Sequence, residues 1–306
     1  MTEEMIKVLK KAAISSTWVN WVLSAENAQE TRDFLQVCYK HLNTRERSRW
    51  AKRISTGDQR QIAATIHELV AFELLRRLQL APEYEPSIGK KTPDVSFTCS
   101  GQRWLADVYL THTPQAIVQE DGDIVVTINK GETAQKIEEE LAKKTRKYSE
   151  TGLPLVLFVF VGDYYGITIQ SIREALFGQR YDELKFLRDS VLSSVKQGRL
   201  YYPGLFFREF VCLPGLTNLS AVVACEWFDT LNRQNPGKRF HCIVNHHWNA
   251  TCELPPEAFG EFSQVVWDRK GPDVWTWKYT TYESRVARLP PEGGIELGIY
   301  TADNPW

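Results

Sequence analysis

The chain predicts an α/β protein in which helices flank a mixed sheet. Three observations carry that reading. Apolar residues recur at helical spacing over 59–79 and again over 132–149. Between these segments the period falls to two, in DVSFTC (94–99) and RWLADVYL (103–110). A continuous apolar run, LVLFVFV (155–161), follows the second helix and reads as a strand buried on both faces. The order helix, two or three strands, helix, strand packs naturally as helices on a mixed sheet.

Taken in order, residues 1–57 read as helical and polar, with Trp18, Trp21 and Val22 as a local apolar cluster. Gly57-Asp58 introduces the first long helix, in which Ile62, Ile66, Leu69, Val70 and Leu74 share one face, and Pro82 stops it. Tyr84–Pro86 is a short extended piece, and Ile88-Gly89-Lys90-Lys91 reads as a turn. Ser100-Gly101 joins the two alternating strands tightly, and residues 117–128 add a hairpin about Asp121-Gly122. Gly152 suits the end of the second long helix. Beyond it lie a helix near 181–197 and apolar strands at 221–228 and 241–244, punctuated by Pro255-Pro256, Pro290-Pro291 and Gly293-Gly294. The expected organisation is a helical segment 1–57, a core 58–165 and a C-terminal α/β extension 166–306 of unknown role.

Thirty-seven basic against 38 acidic residues give a net charge of −1, which excludes a histone-like polycation but not a local basic groove. The six cysteines are scattered and form no C-x-x-C pair. MTEEMIKVLKKAA lacks the apolar stretch of a secretory signal, and the longest apolar run is far too short for a membrane span. The expectation is a cytoplasmic protein without a membrane partner. No G-x-S-x-G elbow, P-loop or dinucleotide fingerprint occurs.

Chemistry concentrates in three acids. Glu68 lies on the first long helix, Asp94 opens the first strand, and Asp107 sits inside the otherwise apolar second strand. The Ser-Gly turn lays these strands side by side, so Asp94 and Asp107 can converge. A carboxylate inside an apolar strand costs several kcal/mol unless it is paired or metal-bound. Converging carboxylates form the oxygen-rich site that Mg²⁺ or Mn²⁺ prefers, and such an ion activates water and stabilises charge on a phosphoryl group.

HELVAFELLRRL, TPDVSF and WLADVYL, followed by a basic helix and an apolar strand, resemble the PD-(D/E)xK nuclease superfamily over residues 58–165, and the stretch around Glu68 looks most like Mrr-type restriction nucleases. The resemblance implies a restriction-endonuclease-like fold and a nuclease acting on DNA, with Asp94 and Asp107 as ligands of Mg²⁺ (or Mn²⁺) and Glu68 assisting. It also implies a role in defence against foreign DNA, and dimers that cut both strands.

The family pattern expects a lysine two residues after the second acid, where this chain has Tyr109. A phenol supplies no cation. On the helix 132–149, Ala134, Ile137, Leu141 and Tyr148 form the apolar stripe; Lys144 falls on it, while Lys143 and Lys147 point away. Lys144 is therefore the expected catalytic replacement, with Lys91 second. Alternatives stay open: Glu73, central on the helical wheel, could face the sheet in place of Glu68, and Asp107 could be a structural carboxylate paired with Arg103 or with a helix residue. Without a lysine the domain would bind nucleic acid or act as an adaptor, contacting a protein partner through its C-terminal half. Arg45, Arg47, Arg49, Lys52 and Arg53 surround Trp50, either as a phosphate-contacting patch with a stacking ring or as a solvated helix face that buries the tryptophan. His241, Cys242, His246, His247 and Cys252 match no zinc spacing and read as a buried cysteine and a surface histidine pair.

Overall fold

The computed structural model describes residues 1–14, 16–111, 117–118, 124–125, 130–161, 168–177, 179–181, 200–202, 204–206, 215–227, 240–269, 274–280 and 293–296. Four helices, α1 (Glu3–Ala12), α2 (Thr17–Ser24), α3 (Gln29–His41) and α4 (Thr44–Thr56), precede the long α5 (Gln59–Arg77). Then come β1 (Glu83–Tyr84), β2 (Val95–Cys99), β3 (Gln102–Leu110), a short pair β4 (Ile117–Val118) and β5 (Ile124–Val125), α6 (Lys130–Tyr148) and β6 (Leu155–Phe160). The remainder contributes α7 (Ile169–Phe177), β7 (Gln179–Tyr181), β8 (Leu200–Tyr202), β9 (Leu219–Trp227), β10 (Phe240–His246), β11 (Ser263–Arg269), β12 (Val274–Thr280) and β13 (Gly293–Glu296). Of the helix expected near 181–197, only Tyr181 is described, as the last residue of β7.

The local reasons for these elements are visible in the caps. Asn43 and Glu46 form a capping box that starts α4, and Asp58 and Gln61 form another that starts α5. Gly152, at φ 66°, closes the turn after α6 in the left-handed conformation that glycine adopts without strain.

Among the described residues the main sheet runs β1-β2-β3-β6-β9-β10-β11-β12-β13. It is mixed: β3/β6, β6/β9 and β10/β11 are parallel and the other neighbours antiparallel. Because β9 lies directly beside β6, residues after 166 continue the sheet begun by 58–165. The helices of 1–57 likewise share one apolar core with α5.

Alternation along the strands creates two layers. Val156, Phe158 and Phe160 pack with α1–α5, whereas Leu155, Leu157 and Val159 pack with α6 and α7. The α5 helix is buried on both sides, against β2 and β3 on one and α3 and α4 on the other. No helix among the described residues is long and apolar enough to cross a membrane.

The basic patch resolves into structure. Trp50 is 0% exposed and its ring meets Tyr39 at 5.3 Å, so it is not a stacking platform. Arg47 lies over the Tyr39 ring and donates to the Tyr39 and Lys40 carbonyls. Arg49 donates to the Glu85 carbonyl, and Arg53 binds Glu68 and Glu85. Of this group Arg45 and Lys52 are exposed, and Arg47, Arg49 and Arg53 are half-buried. Removing a buried aromatic of this size costs about 3–5 kcal/mol. A urea melt of Trp50→Ala should show a loss of that order; unchanged stability together with weakened nucleic-acid binding would restore the stacking role.

Candidate metal centre on the α6 face of the sheet

A two-residue turn builds the site. Ser100 (φ 50°) and Gly101 (φ 76°) are both left-handed, the geometry of a type I′ hairpin connection. The resulting register pairs Cys99 with Gln102 and Val95 with Ala106. One step further, Asp94 falls opposite Asp107. Leu105 and Tyr109 of β3 pack in the α6 layer, so Asp107 between them points the same way.

Asp107 is 0% exposed. Two α6 residues one turn apart hold it: the Lys144 ammonium donates to Oδ2 at 2.5 Å, and the Tyr148 hydroxyl donates to Oδ1 at 2.7 Å. Lys147 stands 3.8 Å from Oδ1. Burial works against the Lys144 charge, but the carboxylates of Asp107, Asp94 and Glu68 outweigh it and hold its pKa above the ordinary lysine value. Burial, together with Asp107, pushes the Tyr148 phenol far up, so it stays a proton donor. Tyr148 read from the sequence only as apolar stripe; the signal missed was a hydroxyl on the same helix face as Lys144. Lys147 read as pointing away, yet its flexible four-carbon stem brings the ammonium back to the acid.

Asp94 Oδ2 accepts the Val108 amide at 2.8 Å. Among the described residues no hydrogen bond engages its Oδ1. Burial, with the nearby charges of Glu68 and Asp107, pushes the Asp94 carboxyl well above its usual range, against the opposing pull of Lys144 and the Val108 amide.

Glu68 is drawn to the other side of the cluster. Arg53 of α4 grips it with both terminal nitrogens, Nη2 reaching Oε1 at 2.7 Å, and the Tyr84 hydroxyl donates to Oε2 at 3.1 Å. Arg53 Nη1 also holds Glu85 at 2.6 Å. Burial still leaves Glu68 above its ordinary pKa despite Arg53. Its oxygens thus face Arg53 and Tyr84, although its charge is felt at Asp94 and Lys144. The alternative acid, Glu73, does not face the sheet: it is fully buried against His41, Arg76 and Arg77.

The remaining expectations separate cleanly. Arg103 pairs with Glu83 and Ser96, not with Asp107. Lys91 closes a backbone bridge with Ile88, and among the described residues no ion pair joins it to either acid. Tyr109 is partly buried beside α6, its phenol pushed up to about 12 by burial and by Glu140. His246 and His247 are buried rather than a surface pair: His246 Nε2 meets Gln264 Oε1 at 2.8 Å, and His247 Nδ1 meets the Leu219 carbonyl at 2.9 Å. Cys242 lies opposite Cys225, with the sulfurs 3.4 Å apart in the core.

Among the described residues no group of three or more His, Cys, Asp or Glu side chains is arranged to hold a metal. The protein offers two neighbouring carboxylates, and two carboxyls of the cluster, Asp94 and Glu68, are held above their ordinary pKa, first by burial and then by the neighbouring carboxylate charges. That donor set suits Mg²⁺ or Mn²⁺, which take one or two carboxylates and complete their shell with water and phosphate oxygens. Comparison with family models, curated proteins and solved structures finds no match for the chain.

A raised carboxyl pKa sets a sign. The folded protein holds the Asp94 proton more tightly than the unfolded chain, so this group's contribution to stability is present at low pH. It is lost as pH rises from the unfolded value of about 3.9 through the raised folded value. Asp94→Asn removes that loss. In chelator, the melting temperature of the variant relative to the parent should rise across this window and stay higher at neutral pH. A variant less stable than the parent at neutral pH would mean that the Asp94 charge is structurally compensated.

Proposed function

We propose that the chain is a metal-dependent nuclease that hydrolyses DNA phosphodiester bonds on a restriction-endonuclease-like core. The observation that carries this reading is the meeting of Asp94, Asp107 and the Lys144 ammonium on one face of the sheet, the lysine coming from α6 because Tyr109 occupies the strand position. Held by Asp94 and Asp107, Mg²⁺ or Mn²⁺ would supply a lowered water pKa and positive charge to offset that on the phosphoryl oxygens.

The residues divide the work by their surroundings. Asp94 and Asp107 would hold the ion, and Tyr148 fixes the orientation of Asp107. Lys144, whose pKa is raised, acts as a cation that orients the attacking water and opposes developing negative charge rather than as a base. Glu68 acts through Arg53 and Tyr84 and through its charge, as a positioning residue rather than a ligand. A net charge of −1 gives modest, salt-sensitive binding to DNA. A place in defence against foreign DNA, action as a dimer and a cytoplasmic setting belong to the same proposal.

One observation favours a second reading, a nucleic-acid-binding or adaptor subunit that does not cut. Both Asp107 oxygens already have internal donors.

Incubation with supercoiled plasmid in Mg²⁺ or Mn²⁺ decides between them. The parent should nick or linearise the plasmid, Asp94→Asn should abolish this, and Lys144→Met should slow it by roughly 10²–10³-fold, as loss of one charge-stabilising donor does. Parent-like cutting by Lys144→Met would remove the lysine from the mechanism. An inert parent that still retards DNA would favour the second reading.

A further inference from the structure

The α6 helix brings two lysines to Asp107, and their settings differ. Lys144 is 25% exposed and committed at 2.5 Å. Lys147 is 45% exposed, its ion pair with Asp107 is a long 3.8 Å, and its ammonium rests over the face of the Tyr148 ring, 4.7 Å from the centroid. A half-exposed pair at that distance is worth little and is easily exchanged. The cation–π contact keeps the ammonium beside Asp107 without using its hydrogen-bond donors. Neighbouring cations are engaged more closely: Arg53 by Glu68 and Glu85, and Lys143 by Glu140 at 2.5 Å.

We propose that Lys147 is a substrate-binding residue that contacts a non-bridging phosphate oxygen of a DNA duplex beside the Asp94–Asp107 centre. This rests on the nuclease reading and adds a division of labour within α6: Lys144 serves the reacting centre and Lys147 holds the backbone. An ammonium is a point charge with rotatable donors, so the contact is independent of base sequence. The phosphate replaces the long carboxylate contact, and the Tyr148 ring continues to support the lysine stem.

The test is a salt titration of binding. Fluorescence anisotropy with a labelled DNA duplex in Mg²⁺ is measured on full-length Asp94→Asn protein, which leaves the duplex intact. Lys147→Gln, Lys147→Arg and Lys143→Gln are each added as a second substitution, and melting temperatures confirm the fold. Each neutralised phosphate contributes about 0.9 to the slope of log K against log salt. Lys147→Gln should therefore reduce the slope by about 0.9, making its affinity loss about 3.5-fold larger at 50 than at 200 mM salt. Lys147→Arg should restore the slope and Lys143→Gln should leave it unchanged. An unaltered slope in Lys147→Gln, with the parent binding normally, overturns the assignment of Lys147 alone. Absence of duplex binding by the parent overturns the nucleic-acid reading, and this inference with it.

Discussion

Two consecutive left-handed residues, Ser100 and Gly101, carry the geometry on which the candidate site depends. They set the β2–β3 register, and the register sets Asp94 opposite Asp107 on the face that α6 covers. Slipping that pairing by one residue would turn β3 over and drive Asp107 into the apolar layer of Phe158 and Val156. The site is therefore not a local motif added to a finished fold. It is a consequence of which way one hairpin is folded, and α6 then supplies Lys144 and Tyr148 from one helix face and Lys147 through the reach of its long side chain.

The second constraint is electrostatic. Glu68, Glu85, Asp94 and Asp107 are gathered around Arg53 and Lys144, with Lys147 at the rim. Burial, reinforced by neighbouring carboxylates, holds Glu68 and Asp94 above their usual pKa against the pull of Arg53 and Lys144. The N-terminal helices are part of this device. Arg49 and Arg53 of α4 hold the carbonyl and carboxylate of Glu85, a non-glycine residue at φ 46°, whose amide donates to the Asp94 carbonyl at 2.8 Å. Backbone strain of this kind persists only where surrounding contacts enforce it.

What could be read from the sequence follows from how strongly each residue's surroundings are written in its neighbours. Alternation in 94–99 and 103–110 and the Ser-Gly turn are short-range signals, and β2, β3 and the Asp94–Asp107 juxtaposition follow from them directly. Lys144 could be found because it interrupts an apolar stripe that faces the sheet. The choice between Glu68 and Glu73 could not, because a helical wheel assumes one buried face and α5 has two. Lys147 escaped the same wheel because a long side chain is not confined to the face of its own Cα. The basic cluster around Trp50 left two readings open, a phosphate-contacting patch or a solvated face that buries the tryptophan, because arginines that bind carbonyls and carboxylates across the fold are indistinguishable, in sequence, from solvated ones. In the C-terminal region β9 and β10 showed as apolar runs, but their places in the sheet depend on pairings between segments far apart in the chain.

The most direct test of the central claim is a calorimetric titration of Mn²⁺ into the metal-free protein and into Asp94→Asn. A cation site between Asp94 and Asp107 predicts saturable binding of one ion per chain that disappears in the variant. Equal isotherms for the two proteins, or no binding to the parent, would contradict the account and leave the acid cluster as a purely internal ion network.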